Sequence, residues 1–141
     1  MQNQAMTSTT GTDSDATAHD IEQIVVDLFA AAERGDWDTF RAAFTPDARL
    51  RQNIGKDHSI DDAMLALPRL TEDGTTLRYE NAKRAIAPNV VTEMHDAVFT
   101  KPDGREVRID ICIVVELNDD GLIVRADEYL DSNAAAQLFA P

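Results

Sequence analysis

The stretch EVRIDICIVVELNDDGLIVRADEYLD, residues 106–131, decides the fold. In its first half Val107, Ile109, Ile111, Ile113, Val115 and Leu117 alternate with Glu106, Arg108, Asp110, Cys112, Val114 and Glu116, the period-two pattern of a strand with one buried face. Asn118-Asp119-Asp120-Gly121 is turn chemistry, and a second strand is predicted over Leu122 to Asp131. Strands joined by so short a connection run antiparallel. Pairing Leu117 with Leu122 puts Val115 opposite Val124, Ile113 opposite Ala126, Ile111 opposite Glu128 and Ile109 opposite Leu130. Glu128 then stands on a face that is otherwise hydrocarbon, while Arg125, Asp127, Tyr129 and Asp131 take the other.

Working outward, Leu77 to Ala87 and Val90 to Thr100 are also strand-like, separated by Ala-Pro-Asn and followed by Lys-Pro-Asp-Gly. The second half is therefore expected to be an antiparallel meander. The first half has helical spacing. Asp20 is an N-cap with Gln23 three residues on, and Ile21, Ile24, Val25, Leu28, Phe29 and Ala32 form one apolar stripe ending at Gly35. Asp36 caps a second helix with Trp37, Phe40 and Phe44, stopped by Pro46; after an extended Ala48 to Ile54, Ser59 and Asp62 cap a third, with Ile60, Met64 and Leu67 before Pro68. Helices followed by a meander give the α+β class, with helices packed on one face of a curved sheet. Residues 1–18 are polar and without period, so they read as a disordered tail ahead of a single domain over 19–141.

Eighteen Asp and eight Glu face ten Arg and three Lys, a formal charge of −13, and no basic stripe interrupts the acidity. Nucleic acid is thereby excluded as an expected partner. No window approaches the roughly 20 apolar residues of a membrane span, and the N-terminus lacks the basic-then-apolar order of a secretory leader, so a soluble, cytoplasmic protein is expected. Cys112 is the single cysteine, and no phosphate loop, nucleophile elbow or paired-cysteine motif occurs, so no cofactor or metal is expected.

The register of the hairpin before Glu106 is open, and one residue of slip exchanges the faces. A four-residue loop, Pro102 to Arg105, turns Met94 and Asp96 inward. A three-residue loop with a left-handed Gly104 turns His95 inward instead, with Glu93, Ala97 and Phe99. A carboxyl on an apolar face is a candidate acid or base, because burial raises its pKa toward neutrality. The alternative is a rim carboxylate that reaches water or an arginine and does no chemistry. His19 and His58 fit loop or capping duty, and Trp37, Phe40 and Phe44 fit core positions.

The chain resembles the SnoaL-like, nuclear transport factor 2-like superfamily, whose relatives include polyketide cyclases, ketosteroid isomerases and limonene epoxide hydrolases. The resemblance spans about Asp20 to Phe139 and rests locally on Gly35-Asp36-Trp37 and on Asp120 to Asp131. It implies a cone-shaped α+β barrel of the cystatin-like type, an apolar pocket, and a homodimer formed through the outer sheet face. Compared with the epoxide hydrolases, Glu128 and Asp96 correspond to the two catalytic aspartates and Asn53 to a water-holding amide; Arg51 stands where they have a tyrosine and Met94 where they have an arginine. That correspondence favours an inward Asp96; Arg51 beside Asn53 is a candidate to supply the missing positive charge, whereas simple alternation puts Ala48, Leu50 and Ile54 on the buried side and Arg49, Arg51 and Asn53 on the wet side.

The expected function is binding of a small, largely apolar molecule, with acid–base chemistry of an isomerase, cyclase or hydrolase type. Its candidate catalytic residues are Glu128, Asp96, Asn53, Arg51 and His95. The expected pocket lining is Trp37, Met64, Met94, Ile109, Ile111, Ile113 and Ala126. His95 with Glu128 is the acid–base pair if the hairpin slips, and a non-catalytic binding or dimerisation module is the alternative.

Overall fold

A computed structural model describes residues 20–141; the polar tail over 1–18 and His19 lie outside the described residues. Helix α1 spans 20–34, its stripe of Val25, Leu28, Ala31 and Ala32 buried. Gln23 does not reach back to the helix start: its Nε2 donates to Asp27 Oδ1 at 2.8 Å, one turn on. Helix α2, Trp37–Ala42, is capped by Asp36, whose Oδ1 accepts from the Thr39 backbone N–H at 3.2 Å. It ends before Phe44, which opens strand β1, Phe44–Gln52. Pro46 therefore lies within a strand, where the ladder is interrupted between Phe44 and Arg49, as a residue with no N–H requires.

A short strand β2, Asp57–Ser59, leads into α3, Ile60–Ala66, and Ser59 Oγ caps it by accepting from the Asp62 N–H at 3.1 Å. Leu67–Leu70 continues as one 3-10 turn with Pro68 in its first positions. The meander follows as β3 (Thr76–Ala87), β4 (Val90–Thr100), β5 (Glu106–Leu117) and β6 (Ile123–Leu130). Helix α4, Ser132–Leu138, closes the chain with Asp131 as its cap, an element that the sequence reading did not foresee.

The six strands form one unclosed sheet in the order β2-β1-β6-β5-β4-β3. The meander is antiparallel throughout, as expected, and β1 returns to pair with β6 in parallel. The N-terminal half thus completes the sheet that the second half begins. The inner face meets α1: Val91, Ala97, Phe99, Val107, Ile109, Ile113, Val115, Leu117, Ile123 and Ala126 join the helix stripe in one core. No helix among the described residues is long and apolar enough to cross a membrane.

Both hairpins correct the simple pairings. In β4–β5 the Lys101 N–H donates to Arg105 O at 2.8 Å and Gly104, at φ +91°, closes a three-residue turn. His95 is then opposite Ile111 and Glu93 opposite Ile113. In β5–β6, Leu117 pairs with Ile123, and a bulge then brings Ala126 opposite Val115 and Glu128 opposite Ile113. Ile123 is consequently buried and Val124 exposed, the reverse of the uninterrupted alternation, yet the two-residue displacement keeps Glu128 on the inner face.

Candidate functional site

The registers place Glu93, Ile113, Glu128 and Gln52 along one rung of the inner face, running over β4, β5, β6 and β1, with Arg84 of β3 opposite Glu93. Ile113 separates two carboxyl groups that have different surroundings. Glu93 is 2% exposed and bound at both oxygens: Arg84 Nη1 donates to Oε1 at 2.8 Å, and His95 Nδ1 lies 2.5 Å from Oε2. Glu128 is partly buried and accepts from Gln52 Nε2 at 2.6 Å. Desolvation raises its carboxyl above the ordinary range, opposed by the Gln52 hydrogen bond and by the neighbouring His95.

His95 is the centre of the cluster. Its side chain is 1% exposed, Phe29 stands edge-on at 4.8 Å between ring centroids, and the Tyr79 ring lies tilted at 4.5 Å. Its Nε2 is buried and, among the described residues, has no hydrogen-bond partner. Burial pushes the Tyr79 phenol above its ordinary value, and the negative charges of Glu128, Glu33 and Glu93 act in the same direction. Helix α1 supplies Phe29, β3 supplies Tyr79 and Arg84, β4 supplies Glu93 and His95, and β6 supplies Glu128.

Several expected site residues stand elsewhere. Asp96 is on the outer face, the opposite of the inward placement that the epoxide-hydrolase correspondence favours, because the three-residue turn gives His95 that place. It accepts from Asn81 Nδ2 at 2.8 Å and Arg108 Nη1 at 3.1 Å, and it is paired with Asp110. The Asn81 hydrogen bond, the contact with Asp110 and the Arg108 guanidinium hold the Asp96 carboxyl below the usual range; Asp110, hydrogen-bonded to Asp96 and repelled by it, is raised. The same slip carries Met94 outward, 51% exposed and opposite Cys112, so it does not line the interior.

Arg51 does not clamp the carboxylates: its Nη1 donates to the Tyr129 hydroxyl at 3.2 Å and its guanidinium carbon lies 5.7 Å from that ring's centroid, outside the sheet. Its neighbour Gln52 is on the same face as Glu128, and it is exposed. Asn53 grips the backbone of Leu130, donating to its carbonyl at 3.1 Å and accepting from its N–H at 3.0 Å, so both ends of the amide are committed to the end of β6. Ile109, Ile113 and Ala126 are buried in the core, and Ile111, Met64 and Trp37 pack partly buried against it, Trp37 edge-on to Phe40 at 5.3 Å. Arg84, Tyr79 and Gln52 were not singled out from sequence. For Glu93 and His95 the spacing of two on a strand was the available signal, together with Gly104 in the preceding turn. Among the described residues no three His, Cys, Asp or Glu side chains gather to hold a metal ion.

The SnoaL-like domain family model matches residues 25–126. Among solved structures, the fold is similar to a putative polyketide cyclase from Xanthomonas campestris pv. campestris at 17% identity and TM-score 0.74, covering 86% of this chain and 98% of that one. It is also similar to a putative isomerase from Bacillus subtilis (13% identity, TM-score 0.74, 86% and 93% covered) and to an LEH-like epoxide hydrolase from M. tuberculosis (17%, 0.70, 86% and 90%). No curated protein sequence matches the chain significantly.

Proposed function

The chain belongs to the SnoaL-like domain family, and from that premise we propose that it is an acid–base enzyme acting on a small, largely apolar molecule, with His95 as base and Glu128 as acid. The observation that carries this reading is the buried His95 Nε2 with no partner among the described residues. An orphaned buried polar atom costs about 1–3 kcal/mol, a cost that a bound molecule presenting a proton would offset.

The chemistry follows from the two environments. Nε2 takes a proton from a carbon beside a carbonyl, the C–H electron pair moves toward the carbonyl oxygen, and Glu128, whose carboxyl desolvation raises above the ordinary range, donates its proton to that oxygen. Ile111 and Ile113 of β5 lie between His95 and Glu128 in the register of the sheet. The solved neighbours named as a polyketide cyclase and an isomerase support such a reaction class.

Ring opening of 5-nitrobenzisoxazole tests this, since it needs only a base: a ring C–H proton is removed, the N–O bond breaks and a coloured cyanophenolate forms. Wild-type protein is expected to catalyse it, with His95→Gln reducing the rate by about 10²-fold. An unchanged rate in that variant would remove His95 from the role. Binding of the probe with no product, in wild type as in the variant, would make the interior a receptor site.

The outer face supports a homodimer as part of the same proposal. Met94, Cys112 and Tyr129 form one rung there, with Met94 51% and Tyr129 46% exposed, next to Thr92 and Val114. An apolar strip of this kind in the middle of a sheet face is suited to its own copy across a two-fold axis.

A further inference from the structure

We propose that Arg84 is a positioning residue for His95: through Glu93 it fixes the imidazole as the tautomer with hydrogen on Nδ1, leaving Nε2 as the bare base. The inference rests on the reading of His95 as the base. The chain of contacts is short and graded in exposure. Arg84 Nη1 donates to Glu93 Oε1 at 2.8 Å, and Glu93 Oε2 lies 2.5 Å from His95 Nδ1, the three side chains being 24%, 2% and 1% exposed. A carboxylate whose other oxygen already receives a guanidinium N–H accepts from the imidazole, and the only ring hydrogen of a neutral histidine is then on Nδ1.

An irregularity in β3 makes this arrangement specific to Arg84. Glu80 pairs with Asp96, but beyond a bulge Lys83 pairs with Met94 and Arg84 with Glu93. Continuing the earlier register without the extra residue would put Lys83 opposite Glu93 and on the inner face. Asn81, at φ +59°, is at the bulge, and its side chain donates to Asp96 at 2.8 Å, tying the irregularity to β4. The bulge thus sets Arg84 rather than Lys83 opposite Glu93. Its planar fork meets Glu93 through Nη1 while Nε faces Glu22 of α1 at 4.0 Å, so one side chain braces the base from β3 against β4 and α1.

The positive charge also balances Glu93. Without it, the negative charge of the buried carboxylate would act unopposed on the imidazole. The other titratable groups around the ring are Glu128 from β6 and Tyr79 from β3, with Glu33 of α1 beside Tyr79 and Glu22 of α1 beside Arg84, and none is altered in the variants below.

The test combines nitrogen-15 NMR of the His95 ring with the pH profile of 5-nitrobenzisoxazole ring opening, on wild type, Arg84→Gln and Arg84→Lys. Wild type is expected to show a protonated Nδ1 and an unprotonated Nε2. In Arg84→Gln the rate's acidic limb moves to higher pH by about one unit, so the rate falls by about tenfold at low pH and recovers at high pH; Arg84→Lys restores most of the shift. The same pH profile and ring signals in a folded Arg84→Gln protein would overturn the assignment. The ring signals report the relay without turnover. Ring signals that change with Arg84 in a protein that never opens the probe would uphold the relay and refute the enzyme; turnover that depends on His95 but not on Arg84 would do the reverse.

Discussion

Glu93 and Glu128 are the same side chain on the same rung, and their neighbours give them different chemistry. Arg84 and His95 occupy both oxygens of Glu93, whereas Glu128 has a neutral amide from Gln52 and apolar surroundings, so desolvation dominates and its carboxyl is raised. An acid with a raised folded-state pKa takes its proton more readily in the folded protein. Its contribution to stability is full below the unfolded value of about 4.3 and is lost as pH rises through the folded value. Glu128→Gln, which keeps a hydrogen-bonding partner for Gln52 and cannot ionise, is therefore expected to melt higher than wild type near pH 8 and equally near pH 4. Thermal melts followed by circular dichroism at the two pH values check this; a lower melting temperature for the variant at pH 8 would show that the ionised carboxylate is well accommodated. The inward position of Glu128 was legible in the alternation of residues 106–131. The distinction between the two glutamates was not, because it depends on Arg84 and Gln52, which come from strands far away in sequence.

Two turns decide which side chains reach the interior. Gly104, at φ +91°, makes the β4–β5 connection three residues long, and that one-residue choice admits His95 and Glu93 while expelling Asp96 and Met94. Lys-Pro-Asp-Gly is compatible with either length, and the two faces of β4 are similarly apolar, so local pattern could not choose. Gly121, at φ +79°, turns β5 into β6 beneath α1, where an added Cβ would lie 3.2 Å from Ile24 Cδ1. Gly121→Ala combines a left-handed backbone with that close approach, and it is expected to lower stability by about 1–2 kcal/mol in urea unfolding. Gly55→Ala is the control: it meets open space and is expected to stay within about 0.5 kcal/mol of wild type. Equal losses in the two variants would mean that the Gly121 turn can relax into another type. The element boundaries show the same division. Strand β5 was read correctly to the residue, because its alternation is uninterrupted, whereas α4 was missed, because three consecutive alanines carry no period.

At the scale of the molecule, one face of the sheet holds the candidate chemistry and the other the candidate interface. Tyr129→Glu, which puts a carboxylate into the middle of the outer apolar strip without touching the inner face, is expected to convert a dimer to a monomer in sedimentation velocity while leaving the fold intact. A wild-type protein that sediments as a monomer at high concentration would refute the interface. The sequence by itself determined the α+β layout, the antiparallel meander, the caps at Asp36 and Ser59, and the presence of a carboxyl on the inner face of β6, since each follows from contacts between near neighbours or from the two-residue and 3.6-residue periods. Tertiary structure alone decided the parallel docking of β1 on β6, the bulges that set the register, and the meeting of Arg84, Glu93, His95 and Glu128. Those features compare energies of alternatives that are nearly equal locally, and only packing against α1 and the neighbouring strands separates them.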